Sequence, residues 1–292
     1  MREQQEKETK PFKKHRFLTY LVPVAAALVI VFNAVPLVQG LLERKEADAS
    51  YESLLQQTVT FPETEGNAAA SKSASETETG APETSDAAQK AEKISYPALA
   101  IDFASLRARN SDFVCFLYIP VLDCAYPVVH SSDNTEYLTT DFEGNRSVDG
   151  SIFLDRYSSP DLTDANSFIL GHNMRSGSMF GCLRRFYQEE GLCDEDPYFY
   201  LYTEDSVRKY RIFGYAQVEE DDPLYDTATD YESDAGYDAF IQKVRDISCY
   251  DGNSSGVDFS ARPKVVTLST CYGNGATRFV VFGALVGTAE TE

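Results

Sequence analysis

The longest feature in the polarity pattern is an unbroken apolar stretch near the amino terminus. From residue 17 to residue 42 there is no Asp, Glu, Lys or Arg, and Val24 to Phe32 is almost wholly aliphatic. At 1.5 Å per residue, a helix over these 26 positions crosses a hydrocarbon core of about 30 Å with some tilt. Pro23, Asn33, Pro36 and Gln39 interrupt the run. A buried core helix would be shorter and would show a polar face, so the pattern predicts one membrane helix.

A different rhythm begins near residue 101. Ile101, Phe103 and Leu106 have the spacing of a short amphipathic helix that ends near Asn110. Short β-type runs follow at 113–119, 126–130, 151–154, 167–170, 209–218, 264–270 and 278–286. Asp149-Gly150, Ser159-Pro160 and Asn274-Gly275 are among the turns between them. Helical patterns interrupt at 179–188 and at 234–249, where Phe240, Ile241, Val244 and Ile247 share a face. Many short strands with a few inserted helices predict a mainly β domain, a closed or nearly closed barrel.

Charge divides the 292 residues into four parts. Residues 1–16 carry six basic and three acidic side chains, net +3, and 17–42 carry none. Residues 43–95 are net −6 and 96–292 net −17, which together make the overall −20. The part from 58 to 93 is dominated by Ala, Ser, Thr and Glu and buries too little apolar area to offset its ordering entropy. The expectation is a cytoplasmic basic tail (1–16), a transmembrane signal anchor (17–42), a flexible acidic spacer (43–95) and a folded domain (96–292). Residues 41–57 could extend the helix outward from the bilayer. Basic residues before the helix and acidic ones after it put the amino terminus inside and the domain outside. A cleaved signal peptide is the rival, with Ala47-Asp48-Ala49 as its site, but the apolar run is long for one. So acidic a chain excludes sequence-independent nucleic-acid binding, which needs Lys and Arg on phosphates. Six Cys are too few for a disulfide-built scaffold, although Cys182 with Cys193, or Cys115 with Cys124, are separations a disulfide could close.

Three residues invite chemistry. Cys271 ends the β-type run at 265–270 and opens a loop holding Gly273 and Gly275, a setting in which a thiol meets backbone N–H groups; a buried, inert Cys is the plainer account. His172 follows a strand-like run through Gly171 and begins a polar loop, as a rim imidazole would. His130 also ends a strand, but Ser131, Ser132 and Asp133 suggest a solvated turn. Arg278 begins the last β run, and a hairpin between the two runs would bring its guanidinium near the sulfur. A strand-end Arg on a surface carboxylate is its bland alternative.

The run Thr267-Leu268-Ser269-Thr270-Cys271 followed by an Arg at a strand start resembles the signature of sortases, thiol transpeptidases of Gram-positive surfaces. Ile101-Asp102-Phe103, Tyr118-Ile119-Pro120, Tyr126-Pro127-Val128-Val129, Asp133-Asn134 with Tyr137-Leu138, Gly150-Ser151-Ile152-Phe153-Leu154-Asp155 and Leu170-Gly171-His172-Asn173-Met174 are similar to class B motifs in their usual order. The chain departs from the class at Cys115-Phe116, at His130 and in a short loop from Cys271 to Arg278. The resemblance implies a closed barrel of about seven to eight strands, with an amino-terminal helix and a long helix before the strand carrying the catalytic Cys. It implies Cys271 as nucleophile, His172 as acid–base, and Arg278 with the backbone N–H of Tyr272 at the oxyanion. Asn134 and Leu138 would line the signal groove and Ser269 the wall near Cys271, with Thr270 and Tyr272 also binding substrate, and no metal or organic cofactor takes part. The partners implied are secreted proteins bearing a C-terminal sorting signal, cut after Thr, and an amine of peptidoglycan or its lipid-linked precursor. A class B pilin-polymerising sortase, an L,D-transpeptidase and a non-catalytic binding protein on the same barrel are the competing readings.

Overall fold

The computed structural model describes residues 14–61, 96–219, 222, 224, 231–251, 255–270 and 277–291, with side chains from residue 23 onward. Cys271 and Tyr272 lie outside the described residues.

Helix α1 runs over Lys14–Thr58 and contains both Pro23 and Pro36. Its 45 residues extend about 67 Å, more than twice the thickness of a hydrocarbon core of about 30 Å. Residues 24–42 form a sleeve of exposed Val, Leu, Ile and Phe side chains that water would not tolerate and lipid would. Within it, Asn33 donates its side-chain amide to Val29 O at 2.7 Å, so this polar group is satisfied inside the helix.

Beyond the apolar sleeve the same helix changes partner. Ala47, Tyr51, Leu54 and Thr58 fall on one helical face and are all buried. Strand β1 (Val59–Thr60) then pairs with β2 (Ala100–Ile101), and Asp102 N donates to Thr58 O at 2.8 Å. Residues 47–60, which composition alone put in the spacer, are therefore packed against the folded domain. Helix α2 (Phe103–Arg109) follows, capped by Asp102, whose carboxylate accepts from Ser105 N at 2.9 Å.

Eight strands close the barrel: β3 (Phe113–Ile119), β4 (Cys124–His130), β5 (Ile152–Leu154), β6 (Asn166–Gly171), β7 (Tyr198–Tyr202), β8 (Ser206–Glu219), β9 (Val265–Thr270) and β10 (Thr277–Glu290). Around the barrel the order is β10-β8-β7-β3-β4-β5-β6-β9, and β9 closes on β10. Most neighbours are antiparallel; β4 with β5 and β6 with β9 are parallel. Strand β7 has no counterpart in the polarity pattern. Phe199, Tyr200, Leu201 and Tyr202 are all buried, so both faces are covered and no apolar–polar alternation survives.

Short helices α3 (Arg185–Gln188) and α4 (Leu192–Glu195) fill the β6–β7 connection, after a 3-10 turn at Phe180–Arg184. Helix α5 (Asp234–Ile247) precedes β9, its start capped by Ser233 Oγ accepting from Gly236 N at 3.1 Å. Its Phe240, Ile241 and Val244 make a second core with Phe213 and Phe282. The five described cysteines are free thiols, and the neighbour of Cys182 is Cys124, its hydrogen-bond partner, rather than Cys193.

Candidate active site

The parallel pairing of β6 with β9 sets up the site. In this ladder Asn166 pairs with Val265 and, at the far end, Gly171 with Thr270. Both strands thus run out at the same rim, side by side at the usual spacing of about 4.8 Å. Buried Thr267 adds a cross-link, its hydroxyl donating to Asn166 Oδ1 at 2.8 Å. Strand β10 returns along the other side of β9, with Val280 opposite Ser269.

His172 is the first residue past β6. It is half-buried, and its Nε2 lies 2.6 Å from the backbone oxygen of Leu138. A carbonyl only accepts, so Nε2 carries the proton in this contact and Nδ1 is left for exchange. Gly171 makes the approach feasible: a Cβ there would fall 2.4 Å from Ile152 Cδ1 and 2.9 Å from the Phe180 ring. The loop after the imidazole is tied down. Asn173 bridges to Met179, Met179 N donates to the Tyr126 hydroxyl at 2.9 Å, and the Arg184 guanidinium donates to Met174 O at 2.9 Å.

Arg278 is the second residue of β10, half-buried, opposite Val218 of β8. Thr270 and Ser269 are 0% exposed. The Thr270 hydroxyl accepts from Phe279 N at 2.9 Å, which fixes the mouth of the β9–β10 pair. Leu138 ends a 3-10 turn (Glu136–Leu138) and presents a half-buried side chain. Asn134 is engaged at both ends of its amide: Nδ2 donates to Asp155 Oδ2 at 2.6 Å, and Oδ1 accepts from Arg156 N at 2.8 Å. His130 is the last residue of β4, half-buried, with no bonding partner for Nε2 among the described residues; it is a strand residue, not part of a solvated turn.

Two groups near His172 carried no sequence signal, the Asp149 carboxyl and the Leu138 carbonyl. Asp149 is only 1% exposed, and its Oδ1 has no hydrogen-bond partner among the described residues. Burial pushes its carboxyl up to about 6; Asp48 of α1 raises it further, while Arg44 of α1 and His172 pull it down. The other is Leu138, which acts through its carbonyl, and no side-chain pattern announces a backbone acceptor.

A sortase-domain family model matches residues 117–286, more than half of the chain. Sortase B of Listeria monocytogenes is 31% identical over 190 residues, spanning 63% of this chain and 74% of that protein. The chain belongs to the class B sortases. Sortase B of Staphylococcus aureus is 24% identical over 280 residues, which cover 93% of this chain and 97% of that one. Among solved structures, a Staphylococcus aureus sortase B–substrate complex superposes with a TM-score of 0.58 at 25% identity, over 63% of this chain and 84% of that one. Sortase B of Bacillus anthracis gives 0.55 at 28%, over 64% and 85%. The family is one of cysteine transpeptidases. Its barrel, helix before β9 and apolar amino-terminal helix are those expected from the sequence.

Proposed function

We propose that the chain is a membrane-anchored transpeptidase in which Cys271, His172 and Arg278 carry out the chemistry. One observation carries the reading: the parallel register ends with Gly171 opposite Thr270, and the next residues in the sequence are His172 and Cys271. Nucleophile and acid–base group therefore follow from adjacent strand ends, the arrangement nucleophilic catalysis requires. The antiparallel return of β10 supports Arg278 as the cation on the other side of the sulfur.

In this mechanism the Cys271 thiolate attacks the carbonyl of the Thr in a C-terminal sorting signal. Arg278 and the backbone N–H of Tyr272 hold the oxyanion as the tetrahedral intermediate forms. His172, with Nε2–H committed to Leu138 O, gives its Nδ1 proton to the leaving amine. The C-terminal fragment departs and a thioacyl enzyme remains. An amine of peptidoglycan or its lipid-linked precursor then attacks, Nδ1 takes its proton, and the thiolate is released. Water in place of the amine gives slow hydrolysis.

Asn134 has one amide hydrogen left to offer an extended signal, and Leu138 provides an apolar wall. Fully buried Ser269 and Thr270 shape the groove from beneath without touching the peptide. The basic tail is cytoplasmic, residues 17–42 span the bilayer, and the catalytic domain faces the wall.

The test is cleavage of a set of sorting-signal peptides by the full chain in detergent micelles, read with intact-protein mass spectrometry. The expected result is a thioacyl adduct that Cys271→Ala abolishes. Absence of both adduct and cleavage across the whole set would sink the reading.

A further inference from the structure

Helix α1 reaches the site through a short series of hydrogen bonds. The Tyr51 hydroxyl lies 3.0 Å from Gly150 O and 3.1 Å from Ser151 Oγ, in a buried position, and shares its single proton between them. Ser151 is held in turn: its N–H donates to Tyr137 O at 2.9 Å and its hydroxyl to Thr140 O at 2.8 Å. Gly150, with φ at +58°, lies directly against the same turn. A Cβ at this residue would fall 2.4 Å from Tyr137 O and 2.8 Å from Leu138 O. Leu138 O is the atom that orients His172. The Ser151 N–H bond to Tyr137 O and the close approach of Gly150 thus tie the 149–151 segment to the turn that carries that carbonyl.

We propose that Tyr51, on the part of α1 just outside the apolar sleeve, is a positioning residue for the His172 imidazole, acting through Gly150, Ser151 and the Leu138 carbonyl. The inference rests on the reading of His172 as the catalytic acid–base group. It makes the anchor helix part of the active-site scaffold as well as a tether. Undocking α1, by cleavage or by force on the wall, loosens the carbonyl and removes the bias toward the Nε2–H tautomer. The same face of the helix bears Arg44 and Asp48, whose charges act on Asp149. Asp141 completes the charges around the Tyr51 hydroxyl.

Tyr51→Phe isolates the effect, because the ring stays in its T-shaped contact with Tyr126, 5.6 Å between centroids, and only the hydroxyl is lost. The experiment uses the full chain in detergent micelles, with kcat and KM for a cleaved peptide and ¹⁵N signals of the labelled imidazoles. With three His in the chain, His172 is assigned by its loss in His172→Gln. The expected result is about a tenfold fall in kcat with KM nearly unchanged, the scale of a small misplacement of a reacting group, together with a smaller Nε2–H population at His172. Wild-type kcat with unmoved His172 signals would overturn the proposal. So would a lowered melting temperature with those signals unmoved, which marks a purely structural role. If no peptide is turned over by the unsubstituted chain while Tyr51→Phe shifts the His172 signals, the transpeptidase reading falls and the positioning role stands.

Discussion

At the scale of single residues, the environment of His172 is set by groups with unequal costs. Leu138 O supplies orientation at no electrostatic penalty, whereas Asp149 is a carboxylate held almost wholly out of water. Its pKa, pushed up to about 6 from an ordinary 3.8, means that the folded state binds the proton more tightly than the unfolded chain. The stabilisation this provides is complete below pH 3.8 and is lost as the pH rises through about 6, above which the buried charge opposes folding. Asp149→Asn is expected to raise the melting temperature at pH 7.5, by a stabilisation on the order of 1–3 kcal/mol, and to give no gain near pH 4. Thermal unfolding of both proteins across this range checks it; a constant difference would contradict the burial argument. His172 itself could be singled out in the sequence because Gly171 and a polar loop flank it. The buried Asp149 carboxyl and the Leu138 carbonyl could not, since burial and a carbonyl's direction belong to no residue type.

At the scale of elements, the decisive object is the β6–β9 ladder. The sequence showed two apolar runs of the right length ending in Gly171-His172 and Thr270-Cys271, about a hundred positions apart. Nothing in either run says that they are parallel neighbours, or in which register, because the partner strand is chosen by closure of the whole barrel. Once paired, the ladder is pinned by the buried Thr267–Asn166 bond near its start. Thr267→Val keeps the shape but leaves Asn166 Oδ1 without its donor. A loss of about 1–3 kcal/mol is expected, seen as a lower urea midpoint with an unchanged slope. Strand β7 shows the opposite case, a strand hidden by its own burial. Its five residues carry Tyr and Phe on both faces, and only pairing with β3 and β8 distinguishes it from any apolar run.

For the molecule as a whole, the boundary of the folded domain falls within α1, where its apolar sleeve ends and its buried face meets the barrel. Tyr51 and Leu54 belong to the same core as the strands, and β1, directly after the helix, pairs with β2. Removing residues 1–42 should therefore leave a stable soluble protein, whereas beginning the chain at Tyr96 strips two large buried side chains. Each is worth about 1.5–3 kcal/mol, so the shorter form is expected to melt several degrees lower. Calorimetry of the two truncated forms decides this, and equal melting temperatures would return residues 47–61 to the tether.

The amino-acid order by itself determined the local quantities: an uncharged run long enough to cross a bilayer, the periods of strands and helices, and which residue types have reactive chemistry. These depend on neighbours within a few positions, where covalent geometry fixes the period. Only the tertiary structure decided that β6 and β9 end side by side, that a backbone oxygen orients the imidazole, and that the long amino-terminal helix is built into the domain. Each of those joins residues far apart in the chain, and what brings them together is closure of one barrel around one core.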